Sequence, residues 1–105
     1  MAAQTNDGFI REKLVNFVNF LTKCLEKRMH HTRFQEFAKK LDELRNVDTG
    51  HFVLYITEKM VPHKENPGVY ILRLLTENDI QMTDLKNDEL EKLTRYVSCF
   101  IEVVS

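Results

Sequence analysis

Two cysteines, four histidines and one basic run are the residues of this 105-residue chain whose chemistry could reach beyond packing. Cys24 would act as a nucleophile only as a thiolate with a base within hydrogen-bond reach. The nearest histidine on its helical face is His31, seven positions on, and at about 1.5 Å per residue it stands roughly 10 Å away along the axis. That gap is too wide for proton transfer. Lys23, Lys27 and Arg28 flank Cys24 and favour its thiolate, but its place on an apolar face reads as an inert core thiol. Cys99 lies in a second apolar-periodic segment and reads the same way. A small redox or cysteine-dependent protein built on Cys24 is kept as an alternative.

His30 and His31 are neighbours, so they point about 100° apart on a helix and do not form the i, i+4 pair that grips a metal. The acidic stretch from Asp79 to Glu91 lacks the glycine and alternating oxygen ligands of a calcium loop. Gly8, Gly50 and Gly68 are isolated, which removes a glycine-rich phosphate cradle. No catalytic residue, cofactor or metal is assigned, and the chain is read as non-enzymatic.

The basic run comprises Lys23, Lys27, Arg28 and Arg33, with Phe20 and Phe34 close by. Cations beside aromatic rings suit a nucleic-acid backbone with stacked bases. The charge balance argues the other way. Residues 1–47 hold nine Lys and Arg against six Asp and Glu, and residues 48–105 hold six against ten, so the halves are +3 and −4 and the total is −1. Nucleic-acid binders are usually far more basic, so these four residues stand as an alternative nucleic-acid site.

The elements that would position these groups are mainly helical. With 43% hydrophobic and 30% charged residues the composition is globular, and the length suits one domain spanning 1–105. No apolar run approaches the roughly 20 residues of a membrane span, and the start lacks the layout of a signal peptide. The expected location is intracellular, cytoplasmic or nuclear, with no membrane partner. The absence of a stop signal before Ser105 reads as the end of an N-terminal domain of a longer protein.

A first helix is expected from an Asp7 cap to about Met29, with Ile10, Leu14, Phe17, Val18, Leu21, Cys24 and Leu25 on its core face. A second, capped by Thr32, repeats Phe34, Phe37, Ala38, Leu41 and Leu44 at three- and four-residue steps. Residues 87–104 form the last, through Leu90, Leu93, Val97, Phe100, Ile101 and Val104, with its cap in the Asn87-Asp88-Glu89 start. Between them, residues 52–57 suit a buried strand or a buried helix equally, after a turn in which Asp48 or Thr49 is the cap. Asn66 and Pro67 read as the cap and first turn of a helix over 69–76. The expected fold is all-α, a compact bundle of four to five helices; the alternative is α+β with a central β-hairpin at about 51–57 and 69–75.

Phe9 and Phe20 fall together on a flank of the first helix's core face, making its apolar arc wider than a surface helix needs. Lys13, Asn16, Lys27 and His31 are their polar neighbours. Interfaces favour aromatics ringed by polar groups. Phe9, Lys13, Asn16, Phe20, Lys27 and His31 are therefore the expected partner-binding residues of an adaptor or scaffold module. The expected partner is another protein or a second copy in a homodimer. The competing expectation is that another helix covers Phe20.

Overall fold

The computed structural model describes residues 2–105. Helix α1 spans Ala2–Glu26. All seven residues of the expected stripe, from Ile10 to Leu25, are buried. The helix begins before Asp7 because Ala2, Ala3 and Gln4 are good helix formers and need no cap to join it. It also ends before Met29. The N–H groups of Arg28 and Met29 both donate to the Leu25 carbonyl at 3.0 Å, which turns the chain.

Helix α2, His31–Asn46, buries Phe37 and Leu41 and opens one residue ahead of Thr32. Extended His30 holds the cap position without a side-chain bond, so Thr32 is not the cap. Helix α3, Thr49–Tyr55, is capped by Asp48, whose carboxylate accepts the His51 N–H at 3.0 Å. It runs on as a π turn, Ile56–Met60, and a 3-10 turn, Val61–His63. Phe52, Ile56 and Met60 are all fully buried. Positions four apart drift by about 40° per step on an α-helix, and the wider π turn returns Met60 to the core.

Helix α4, Gly68–Glu77, has Pro67 rather than Asn66 at its cap position. It ends in a Schellman motif: Ile80 N–H bonds the Leu75 carbonyl, Asp79 N–H bonds the Thr76 carbonyl, and Asp79 takes the left-handed φ of 59°. A 3-10 turn, Met82–Asp84, leads to α5, Asn87–Val104. Lys86, not Asn87, occupies its cap position, and the Glu89 carboxylate accepts the Lys86 N–H at 2.9 Å. Among the described residues the fold is all-α, with five α-helices and no strand. The alternative hairpin does not form, because 52–60 and 69–75 both bury one helical side.

Helix α1 lies between α2 and α5, and α5 also packs on α4 and the π turn. An aromatic chain threads this core. Phe100 meets Phe17 edge to face at 5.9 Å and Phe52 at 5.1 Å, Phe17 meets Tyr96 at 5.8 Å, and Phe52 stacks on Tyr55. Tyr55 and Tyr70 join hydroxyls at 2.6 Å, which links α3 to α4. Arg11 ties α1 to the end of α2 by donating to the carbonyls of Arg45 and Val47.

Two substitutions check this core by urea unfolding. Phe17→Ala removes a ring that is 0% exposed and touches two others, so it should destabilise by about 3–5 kcal/mol. Leu54→Ser, at 57% exposure, should change stability by no more than about 0.5 kcal/mol. Equal effects would mean the core is misplaced.

Candidate functional site

Phe9, Lys13, Asn16 and Phe20 recur at four- and three-residue steps, so they form one stripe along α1. That stripe borders α5, which runs antiparallel: Phe17 meets Phe100 and Tyr96, and Phe20 meets Lys92. Phe9 is 39% exposed, and the Lys13 ammonium stands 5.3 Å from its ring centroid. Phe20 is half-buried against the core, and Lys92 Nζ sits 4.6 Å from its ring centroid. The two aromatics thus differ. Phe9 is open to solvent, whereas a neighbouring helix covers much of Phe20. Lys27 and His31 are exposed but stand past the end of α1, in the turn and at the start of α2, so they do not continue the stripe.

Between α1 and α5 lies an open groove of about 680 Å³, lined by Lys13 from α1 and by Asp88, Glu91, Lys92, Arg95, Tyr96 and Cys99 from α5. Leu93, Val97, Phe100 and Ile101 face the core, so helical geometry turns Asp88, Glu91, Arg95 and Cys99 to the opposite side. Arg95 and Glu91 pair at 2.7 Å, with both side chains largely exposed. Tyr96 forms the groove's apolar wall, held edge-on to Phe17. Lys13 and Lys92 link groove and stripe, since each lines the groove and holds its ammonium near the ring of a stripe phenylalanine.

The basic run divides differently. Arg28 donates to the Cys24 carbonyl at 2.8 Å and pairs with Glu89 at 3.0 Å, joining the end of α1 to the start of α5. Arg33 pairs with Asp79, joining α2 to the end of α4. Lys23 and Lys27 are exposed and have no ion pair among the described residues. Burial of the Glu89 carboxyl works against its charge, but the Lys86 N–H and Arg28 outweigh this and hold its pKa below the usual value. Burial, reinforced by Glu89, pushes the Cys24 thiol up to about 11, despite Arg28 and Lys92.

A second hollow, about 470 Å³, opens beside the π turn, lined by Tyr55, Glu58, Lys59, His63, Tyr70, Arg73 and Glu77 among others. Burial raises the pKa of both tyrosines, whose hydroxyls are bonded to each other. Among the described residues no group of three or more His, Cys, Asp and Glu is placed to hold a metal. None of their helices is long and apolar enough to cross a membrane.

The α5 groove residues escaped the sequence reading, although a signal was present. Asp88, Glu91, Lys92, Arg95 and Cys99 recur at three- and four-residue steps opposite the apolar stripe. Cys99 is half-buried in the groove wall rather than sealed in the core.

Thiol reactivity follows from these settings. With iodoacetamide at neutral pH, Cys24 should be labelled far more slowly than Cys99, because it is buried and its thiolate forms only near pH 11. Peptide mass mapping over time checks the order, and faster labelling of Cys24 would restore it as a reactive thiol. No protein-family model, curated protein or solved structure matches this chain.

Proposed function

We propose that this chain is a non-enzymatic protein-interaction module whose binding face is the α1–α5 side, centred on Phe9 and the groove beside it. The observation that carries this is the exposure of Phe9 at 39% on a helix whose core stripe is already complete without it. A large aromatic left in water serves no packing need, and rings bordered by cations and amides are favoured at interface centres. The groove adds the other components of a docking surface. Tyr96 supplies an apolar wall, and Lys13, Lys92 and Arg95 alternate with Asp88 and Glu91 as a polar rim. Phe9, Lys13, Asn16 and Phe20 contribute the α1 edge of this face, while Lys27 and His31 would extend it only beyond the turn.

The nucleic-acid alternative is supported less well. Of Lys23, Lys27, Arg28 and Arg33, the two arginines already hold helix ends together through Glu89 and Asp79. Two lysines on a chain of net charge −1 release few counterions from a phosphate backbone. The cysteine alternative would need a thiolate at Cys24, where burial and Glu89 oppose one.

Phe9→Ser tests the proposal, measured by thermal melting together with self-association and capture of other proteins from extract. The melting temperature should stay within about 2 °C, since an exposed side chain contributes little to stability. Binding should fall by tenfold or more, the loss typical of an aromatic anchor. Unchanged binding in both formats would remove this face as the interface.

A further inference from the structure

The exposed stripe of α5 is not charged at random. Reading from the helix start, it presents Asp88, Glu91, Lys92 and Arg95, two acids followed by two bases, at three- and four-residue steps. All four side chains are exposed and line the groove beside α1. The whole sequence spans about 10 Å of helix, or two turns. Such an order is self-complementary in one direction only. If an identical helix is laid alongside in the parallel sense, acids meet acids and bases meet bases. Laid antiparallel about a point between Glu91 and Lys92, Asp88 comes level with Arg95 of the copy and Glu91 level with its Lys92. A two-fold axis then makes each match twice.

We infer that the occupant of the α1–α5 face is a second copy of this chain, bound with the two α5 helices antiparallel so that the acidic half of each stripe lies against the basic half of the other. This rests on the reading of that face as the interaction surface. Within one molecule, the Glu91–Arg95 pair is in direct contact but largely exposed, so it contributes little and its partners can be exchanged for those of the copy. Attraction between such exposed charges is screened, so the dimer is expected to dissociate as salt rises.

Two complementary variants test the arrangement by analytical ultracentrifugation at low salt. Asp88→Lys with Glu91→Lys makes the stripe wholly basic; Lys92→Glu with Arg95→Glu makes it wholly acidic. The wild type should dimerise, each variant alone should bind itself at least tenfold more weakly, and an equal mixture should recover the dimer. Raising the salt from about 20 mM to about 500 mM should weaken the wild-type dimer and leave the melting of each monomer little changed. Recovery in the mixture shows that both variants are folded, and circular dichroism of each alone checks this independently. Variants that dimerise as well as the wild type overturn the charge-matched pairing. A wild type that stays monomeric at all concentrations overturns self-association altogether. In either case, loss of captured protein on Phe9→Ser would leave the α1–α5 face as an interface for a different chain, whereas indifference to Phe9→Ser would remove both readings.

Discussion

Everything in this bundle hangs on the seating of Phe100 between Phe17 and Phe52. Its ring is fully buried and meets both neighbours nearly at right angles, 86° to Phe17 and 89° to Phe52. Edge-to-face contact sets a positive ring edge against a negative face, so it fixes orientation as well as filling space. Through this contact the last helix is clamped to the first and to the third, elements far apart along the chain. Leu93 and Val97 bury the same side of α5, so its rotation about its own axis is determined.

Fixing that rotation fixes the surface. With Phe100, Val97 and Leu93 inward, Asp88, Glu91 and Arg95 have no direction left but outward, and Tyr96 lies beside α1 where it meets Phe17. Lys92 comes to rest over Phe20. The wide apolar arc of α1 is thereby explained in two parts: one flank is covered by the stem and ammonium of a lysine, and Phe9, a full three turns earlier, is left open. Arginine side chains then secure the ends of the helices. Arg28 with Glu89, Arg33 with Asp79, and Arg11 with the last carbonyls of α2 each join two elements at a terminus where backbone groups lack helical partners.

This division of labour bears on function. A basic run that looks in one dimension like a ligand patch is half occupied in holding the fold, because Arg28 and Arg33 are turned toward acids 61 and 46 residues away. Lys23 and Lys27 of that run stay outward, while three cations from outside it, Lys13, Lys92 and Arg95, line the α1–α5 groove and share it with Asp88 and Glu91. A face of mixed sign with an apolar wall is better matched to protein than to a polyanion.

The sequence by itself determined the helical class and the core positions on α1, α2 and α5, because burial on one side of a 3.6-residue repeat leaves a periodic record wherever the element is long. It also narrowed the cap of α3 to Asp48 or Thr49, since that bond is local, and the structure takes Asp48. The middle segment carried no such record: its run of four to six apolar residues fits a strand or a helix, and only contact with Phe100 and the widened turn at Ile56–Met60 decided it. The caps expected at Thr32, Asn66 and Asn87 were misplaced by two, one and one residue, because a cap is chosen by how the chain enters from its neighbours as much as by residue type. Phe9 and Phe20 were equivalent on a helical wheel. Which one is covered depended on the antiparallel approach of a helix some seventy residues later, and that long-range pairing leaves no mark in the spacing of α1 itself.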